Sequence, residues 1–183
     1  MAILAGGKSK RMGRDKALIL DSFGHTWLEL AVDTARKITD RVILVTGSKI
    51  KYSNVNFSIP VEIFADVEPD LGPLGGIITA MNQIKSGYLC CLSCDMPLVR
   101  YEDLICMSLP TLEEDAIYVE TTYFPMIFHV TSGLLAQLEQ FLNGTNTSIG
   151  NFLRQIRSKS ITIQDQQFLI NFNTPLDLSS YEI

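Results

Sequence analysis

The sequence Ala-Ile-Leu-Ala-Gly-Gly-Lys-Ser-Lys-Arg-Met-Gly-Arg-Asp-Lys at residues 2–16 decides the fold class that we predict for this chain. Its first four residues form a short apolar run, which is typical of a buried strand. A loop rich in glycine and cations follows, up to about Asp15. Open α/β sheets bind their ligands at the carboxyl ends of the strands, which is where this loop begins. The stretch therefore predicts a ligand loop placed directly after the first strand.

The composition of this loop indicates what it binds. Three glycines let the backbone bend sharply and bring its N–H groups close to an anion. Five cations have no role in apolar packing and can neutralise a triphosphate: Lys8, Lys10, Arg11, Arg14 and Lys16. The pattern matches neither a Walker A loop nor the glycine turn of dinucleotide-binding folds. The alternative interpretation is a solvated basic loop. The position of the glycines directly after the first strand argues against that interpretation.

Outward from this loop, apolar runs alternate with helical patterns, which predicts an α/β fold with a mostly parallel sheet and helices on both faces. A capping box at Thr26 and Glu29 starts the first helix, whose apolar repeat extends to Ile38. The other predicted helices cover 74–84, 134–142 and 149–156. The predicted strands are 2–5, 41–46, 61–65, 88–93, 116–121 and 125–130, with late strands near Ile161 and Ile170. No linker or repeat interrupts the pattern, so we predict one domain over residues 1–183.

Two aspartates follow predicted strands at the same edge of the sheet. Asp66 ends the third strand, shortly before the glycine-rich stretch 72–76, and can accept hydrogen bonds from a base or a ribose. Asp95 follows the fourth strand, where a carboxylate is well placed for Mg²⁺. This ion prefers oxygen ligands and takes one or two carboxylates together with substrate phosphates and water. The alternative for each is a structural aspartate in a turn or cap.

Composition and charge exclude several other classes of protein. The net charge is −5, which argues against a surface that follows nucleic-acid phosphates. No stretch approaches the roughly 20 apolar residues of a membrane span, and no apolar signal core is seen, so we expect a cytoplasmic protein without a membrane partner. Three of the four cysteines fall at positions 90, 91 and 94, on or next to an apolar strand, where we expect packing rather than zinc or disulfide chemistry.

The chemistry that these residues can perform is the transfer of a nucleotide to a phosphate. There is no histidine near the motifs and no nucleophile elbow of the hydrolase type. A phosphate that attacks an α-phosphorus is already ionised at neutral pH, so it needs neither a strong base nor a covalent enzyme intermediate. Such a reaction depends on positioning, cations and Mg²⁺.

Four motifs, in this order along the chain, resemble those of a known family. The motif Leu-Ala-Gly-Gly-x-Ser-x-Arg-Met-Gly-x-Asp-Lys-Ala-Leu at residues 4–18 is similar to the opening signature of the molybdenum cofactor guanylyltransferase (MobA) family, within the MobA-like NTP transferases. Three later stretches are similar to its other motifs, namely Gly-Pro-Leu-Gly-Gly-Ile at 72–77, Cys-Asp-Met-Pro at 94–97 and Asn-x-Asn-Thr-Pro-x-Asp-Leu at 171–178. The resemblance runs from residue 2 to about 178.

The resemblance implies a three-layer Rossmann-like α/β sandwich, with Mg²⁺ as the cofactor. It implies that GTP and Mo-molybdopterin react to give the guanine dinucleotide cofactor and pyrophosphate. Apo-molybdoenzymes or their chaperones would then be further partners.

The resemblance also implies roles for individual residues. Leu4, Ala5, Gly6 and Gly7 would bind GTP around the guanine, and Lys16 would hold the triphosphate. Asp66 would contact the nucleoside, and Asp95 would bind both GTP and Mg²⁺. The remaining roles are charge stabilisation of the pentavalent transition state by Arg11 and contact with the pterin substrate by Asn171 and Asn173.

The chain departs from the family pattern at three places. Where the family often carries an asparagine after the second strand, residues 45–48 read Val-Thr-Gly-Ser. Pro125-Met126 replaces a Pro-Leu pair, which conserves volume. Few residues precede the glycine loop, so the first strand is short, and the sequence leaves open whether the native start lies upstream.

Other functions remain open from the sequence. The same chemistry could serve a molybdopterin cytidylyltransferase or a sugar-phosphate nucleotidylyltransferase, although Gly6-Gly7 favours guanine because the cytidylyl relatives typically have Ala-Gly there. A non-catalytic GTP-binding module is the alternative from another class. The presence of both Lys16 and Asp95 argues against it, since binding alone does not require a metal-binding aspartate.

Overall fold

A computed structural model describes residues 1–6, 13–48, 51–52, 54–55, 57–67, 71–163, 166–174 and 177. Within these ranges one sheet of seven strands forms, in the order β3-β2-β1-β4-β6-β5-β7. The strands are β1 Ala2–Leu4, β2 Val42–Thr46, β3 Val61–Ala65, β4 Gly87–Ser93, β5 Ala116–Val119, β6 Tyr123–Val130 and β7 Ser158–Ile161. The helices are α1 Trp27–Arg36, α2 Pro73–Ile84, α3 Tyr101–Ile105, α4 Ser132–Leu142 and α5 Ile149–Gln155.

The strand directions confirm the predicted α/β class. Only β6 of these strands runs against the rest, because it pairs antiparallel with both β4 and β5 while the other pairs are parallel. The chain moves from β1 to β2 in one direction along the sheet and from β3 to β4 in the other. Since such crossovers are right-handed, α1 and α2 cover opposite faces. The strand order thus reverses between β1 and β4, which is where open α/β sheets bind ligands.

Local sequence explains why the elements next to this reversal form. Every residue of β1 and β2 is buried, as expected for central parallel strands. The capping box of α1 is present, since the Thr26 side chain accepts from the Glu29 N–H and the Glu29 carboxylate accepts from the Thr26 N–H. Helix α2 begins with Pro73 in its first turn after Gly72, whose φ of 59° is in the left-handed region that favours glycine.

Helix α2 lies unusually close to the end of β1. A Cβ added at Gly76 would be 3.1 Å from Cδ2 of Leu4 and 3.7 Å from Cγ1 of Val45. Both neighbours are buried core residues. The absence of a side chain at Gly76 therefore permits the close packing of α2 on the two central strands.

Three details of the predicted elements were wrong. Helix α1 ends at Arg36, so Ile38 lies beyond it and is partly exposed. Among the described residues around Ile170 no strand forms, and a 3-10 turn at Gln166–Leu169 is followed there by irregular chain. The backbone there hydrogen-bonds the end of β4 instead, from the Phe172 N–H to the Asp95 carbonyl at 3.0 Å. Helix α3 was missed because its five residues are too few to show a period.

Two of the three cysteines that were expected to pack lie in the core, and the third is partly buried. Cys91 and Cys94 are buried, and all four cysteines are free thiols. Burial raises the pKa of the Cys90 and Cys94 thiols to about 12, so they stay protonated at neutral pH. Within the described ranges no three histidine, cysteine or acidic side chains group together as metal ligands.

No helix in the part of the chain that the structure describes has both the length and the apolar character needed to cross a membrane.

An ion pair between a buried carboxylate and a mostly exposed guanidinium lies where β5 and β7 begin, and it makes the fold sensitive to acid. The Asp115 carboxylate accepts from the Arg157 guanidinium at 2.7 and 3.1 Å and from the Arg157 backbone N–H at 3.0 Å. These hydrogen bonds lower the pKa of Asp115 below its ordinary value of 3.8. The charged carboxylate therefore stabilises the fold fully above that pH, and the contribution is lost as the pH falls through the lower folded pKa.

Asp115→Asn should lower the free energy of unfolding by about 1.5–3 kcal/mol at pH 7, because hydrogen bonds to a charged group are lost. The difference between wild type and variant should shrink as the pH falls below 3.8, because Asp115 of the unfolded chain becomes protonated there, while the folded carboxyl takes up its proton only at its lower pKa. Urea denaturation at pH 7 and pH 3 measures both effects. Asp33→Asn is the matched control, since its pair with Arg36 is exposed and should contribute less than about 1 kcal/mol. Equal losses in both variants would contradict the role given to Asp115.

Candidate active site

A cavity of about 240 Å³ opens at the carboxyl ends of the central strands. Its walls come from the ends of β1, β2, β3 and β4, from the first turn of α2 and from Phe124 on β6. The residues predicted from the sequence that line it are Leu4, Gly6, Asp66 and Asp95. The expected convergence of these four positions at one edge of the sheet is therefore observed.

Asp95 and Lys16 form a partly buried ion pair beside this cavity. The Lys16 Nζ lies 3.0 Å from Oδ2 of Asp95, and the two side chains are only 13% and 18% exposed. The other carboxylate oxygen, Oδ1, accepts a hydrogen bond from the Ser93 hydroxyl at 2.5 Å. Because water is largely excluded, the pair is screened less than a surface pair would be. Each carboxylate oxygen still has a lone pair that neither neighbour uses.

The backbone after β4 fixes the direction of the Asp95 carboxylate. The Cys94 N–H donates to the Leu4 carbonyl at 3.1 Å, which extends the pairing of β4 with β1 by one residue. The Met96 N–H then donates to the Ser93 carbonyl at 3.3 Å and turns the chain. Asp95 thus sits at the point where the central strand gives way to a tight turn, as the sequence predicted.

Lys16 is carried by a short 3-10 helix, Lys16–Leu18, which Asp15 caps. The Asp15 carboxylate accepts from the Ala17 N–H at 3.2 Å. The Lys16 ammonium also donates to Oδ1 of Asn173 at 2.8 Å, so it bridges the end of β4 and the late segment of the chain. The structure thereby brings together three residues that the sequence placed in separate motifs.

Asp66 lies opposite the start of the glycine loop. A Cβ built on Gly6 would be 3.8 Å from the Asp66 Oδ2, so the carboxylate and the loop backbone are close neighbours across the cavity. The Asp66 N–H donates to the Thr46 carbonyl at 2.7 Å, which continues the β2–β3 pairing.

The start of α2 contributes to the electrostatics of the cavity. Gly72 and Pro73 line it, and the twelve-residue helix directs its N-terminus towards it. A helix N-terminus carries a partial positive charge and attracts anions. It therefore offsets part of the negative charge of Asp66 and Asp95 and favours a phosphorylated ligand.

The late segment is held by an acidic side chain to which the sequence analysis assigned no role. The Asp177 carboxylate accepts from the N–H groups of Asn173 and Thr174, both at 2.7 Å. These backbone hydrogen bonds lower the pKa of Asp177. The spacing of Thr174 and Asp177 is that of a helix cap, a signal that could have identified this contact in advance.

The other predicted positions differ in what can be said of them. Ala5 is almost fully buried and donates its N–H to the Val45 carbonyl at 2.9 Å rather than lining the cavity. The side-chain oxygen of Asn171 is buried and has no hydrogen-bond partner in the described part of the chain. Gly7 and Arg11 lie outside the described residues.

Residues 45–48 stand where the family often carries an asparagine after the second strand. Their first residue is an apolar part of the cavity wall, and their polar groups hydrogen-bond each other within the turn. Val45 lines the cavity. The buried Thr46 hydroxyl hydrogen-bonds the Ser48 backbone within the turn, both as donor to the carbonyl and as acceptor from the N–H. The end of β2 therefore presents an aliphatic side chain to the cavity.

A cavity at the strand reversal, with a glycine loop, a lysine and two strand-end aspartates, defines a nucleotidyltransferase of the α/β class. Comparison with known families agrees, since residues 1–159 match the model of the MobA-like NTP transferase domain. The chain belongs to the MobA-like NTP transferase family.

Two relatives are similar over nearly their whole length. A probable molybdenum cofactor guanylyltransferase from Flavobacterium johnsoniae is 30% identical over 99% of this chain and 95% of its own length. The molybdenum cofactor guanylyltransferase of Xanthomonas euvesicatoria is 29% identical over 94% of this chain and 88% of its own.

A solved structure shares the fold. Molybdopterin-guanine dinucleotide biosynthesis protein A from Archaeoglobus fulgidus superposes with a TM-score of 0.79 at 19% identity, over 98% of this chain and 94% of that one.

Lys16→Ala should weaken nucleoside triphosphate binding by about one to two decades, since a charge-assisted hydrogen bond contributes roughly 1.5–3 kcal/mol. Equilibrium binding of radiolabelled nucleotide measures the change. Lys159→Ala is the matched control, because this lysine is exposed and pairs with Glu114 on the far edge of the sheet. Unchanged affinity in folded Lys16→Ala would show that the triphosphate lies elsewhere.

Proposed function

We propose that this chain transfers GMP from GTP to the phosphate of Mo-molybdopterin, forming the molybdopterin guanine dinucleotide cofactor and releasing pyrophosphate. The observation that carries the proposal is the Lys16–Asp95 pair beside a cavity bounded by Gly6 and Asp66. The relatives that the chain matches over almost their whole length are named for this reaction. Both substrates bear phosphates, which suits the cationic loop and the N-terminus of α2.

The reaction joins one phosphate oxygen to the α-phosphorus of GTP and breaks the bond from that phosphorus to the pyrophosphate. The side chains contribute mainly by position and charge. Lys16 would neutralise the triphosphate, and Arg11, in the same loop, is assigned to the charge that develops in the pentavalent state. Asp66 would accept hydrogen bonds from the nucleoside, with Leu4, Ala5, Gly6 and Gly7 around the base.

NTP transferases of this kind generally use a divalent metal, and we assign Mg²⁺ to Asp95. The donor set fits this ion, because one carboxylate with free lone pairs faces a cavity that would also hold phosphate oxygens. When bound, the ion supplies positive charge to the phosphates. Asp95 would hold it, while the Ser93 hydroxyl keeps the carboxylate turned to the cavity.

The late segment is the side that we assign to the pterin substrate, through Asn171 and Asn173. It bonds to the rest of the site, through Asn173 to Lys16 and through Phe172 to the Asp95 backbone. For the same reason we propose that residues beyond the family match at 159 belong to one domain with the rest of the chain. We further place the reaction in the cytoplasm, with apo-molybdoenzymes or their chaperones as recipients of the product.

The base preference is the first test of this function. Backbone groups at Gly6 can approach the edge of a purine because no side chain intervenes, and sites that pair such an edge reject analogues lacking it by several kcal/mol. GTP should therefore displace a labelled nucleotide at least about a hundredfold better than CTP or ATP. Pyrophosphate release with each NTP, with and without molybdopterin, measures turnover. A clear preference for CTP would assign the chain to the cytidylyl branch.

Asp95→Asn is the second test. The amide oxygen can still accept from Lys16, and the amide N–H can donate to the Ser93 hydroxyl, so the chain should still fold, but a charged metal ligand is lost. A metal contributes several kcal/mol to transition-state stabilisation, so Mg²⁺-dependent transfer should fall by about a thousandfold or more. Asp103→Asn controls for a buried structural aspartate, since that residue caps α3 through Arg100. Near-normal turnover in folded Asp95→Asn would refute the metal assignment.

A further inference from the structure

A buried tyrosine joins the two ends of the glycine loop. The Tyr52 hydroxyl lies 3.0 and 3.1 Å from the two carboxylate oxygens of Asp15 and 3.3 Å from the Ala5 carbonyl. Ala5 precedes the loop, and Asp15 ends it. Tyr52 comes from the connection between β2 and β3 and is only 1% exposed. No motif in the sequence pointed to this residue.

The hydroxyl acts mainly as a donor to Asp15. It has one proton, and a carboxylate is a stronger acceptor than a carbonyl. Burial and the Asp15 charge raise the pKa of Tyr52, so that the proton stays in place at neutral pH. The carbonyl of Ala5 is a secondary acceptor at the longer distance.

Asp15 in turn determines where Lys16 lies. Its carboxylate caps the short helix that begins at Lys16, through the hydrogen bond from the Ala17 N–H. Lys51 adds a salt bridge to Asp15 at 3.0 Å and places its ammonium 5.0 Å from the centre of the Tyr52 ring. The side chains of Tyr52 and Lys51 thus form a network around Asp15. Asp15 immediately precedes Lys16, the residue that contacts Asp95.

A tyrosine that only filled the core would need a single partner for its buried hydroxyl, whereas this hydroxyl lies within hydrogen-bond distance of both the carboxylate that ends the loop and the carbonyl that precedes it. Fixing both ends of a loop before a ligand binds removes part of the ordering cost of binding. It also keeps a charged group within the narrow range of positions that productive binding requires.

We propose that Tyr52 is a positioning residue for the nucleotide site, acting through Asp15 to hold the base of the loop and the ammonium of Lys16 in place. This inference rests on the proposed function, because it requires that the loop binds a nucleoside triphosphate. Tyr52 is not among the described residues that line the cavity. Removal of the Tyr52 hydroxyl alone should therefore weaken nucleotide binding, while the ring continues to pack in the core.

Tyr52→Phe keeps the ring and its contact with Lys51 and removes only the hydroxyl. It should weaken NTP binding by about tenfold or more, as expected when a hydrogen bond to a charged group is lost. Tyr88→Phe is the matched control, since Tyr88 is half exposed on β4 and stacks on His129. Binding is measured well below the melting temperature, so that a loss of stability alone does not change the affinity.

The fluorescence of the single tryptophan gives a readout independent of activity. The ring of Trp27 packs 5.5 Å from that of Phe172, whose backbone bonds Asp95. Wild type is titrated with each of the four NTPs, by fluorescence and by labelled-nucleotide binding. The NTP that binds best is then used to compare the affinities of wild type and Tyr52→Phe. If CTP binds best, the guanylyl assignment fails while the Tyr52 comparison proceeds with CTP. If no NTP binds, both the proposed function and the role of Tyr52 are refuted.

A double-mutant cycle tests whether Tyr52 acts through Asp15. Asp15→Asn should weaken binding at least as much as Tyr52→Phe, and the double variant should lose little more than Asp15→Asn alone. Additive losses, or parental affinity in Tyr52→Phe, would overturn the proposal. If Tyr52→Phe folds poorly, Asp15→Asn alone still tests the proposal. Parental NTP affinity in Asp15→Asn would show that the network around Asp15 does not contribute to nucleotide binding.

Discussion

The ammonium of Lys16 connects parts of the chain that are distant in sequence. It donates to Asp95, 79 residues away, and to Asn173, 157 residues away. Through these two bonds the loop after β1, the turn after β4 and the late segment share one charged group. Since Lys16 and Asp95 are both mostly shielded from water, neither could lose its partner without leaving a poorly solvated charge. The arrangement of the site therefore depends on this pair.

The sheet provides the geometry in which such a pair can form. Because β1 and β4 are parallel neighbours at the reversal of strand order, their carboxyl ends open on the same side. The pairing continues past the strands, from Cys94 to Leu4, and holds the two following turns side by side. Negative charge from two aspartates is thus concentrated next to a helix N-terminus and a lysine, an arrangement that suits a ligand carrying both phosphates and a metal.

Part of this site could be predicted from the sequence because it follows from strand ends. Asp66 and Asp95 come directly after apolar runs, and the glycine loop comes directly after the first one, so topology alone brings them together. The contact of Asn173 with Lys16 could not be derived in this way, since no periodicity relates residues 157 positions apart. Only the family resemblance placed the late asparagines near the site.

The failures have equally specific causes. Ile170 was expected in a strand because its neighbours are apolar. The Phe172 N–H instead donates to the Asp95 carbonyl, and the N–H groups of Asn173 and Thr174 donate to the Asp177 carboxylate. These backbone groups are therefore not available for a regular strand ladder. Tyr52 resembles any core aromatic in the sequence, and only its hydroxyl distances distinguish it. Charges and glycines at strand ends are therefore visible in a sequence, whereas the groups that hold them in place are not.

Gly76 bears on any attempt to make this protein more heat-resistant. Replacing a helical glycine with alanine commonly gains up to about 1 kcal/mol, and such exchanges are a routine choice in thermostability engineering. Here the new methyl group would press on Leu4, whose side chain is at once part of the core and part of the cavity wall. Selection for a tighter core at this position would also reshape the cavity, so the stability of the fold and the shape of the cavity cannot be optimised independently there.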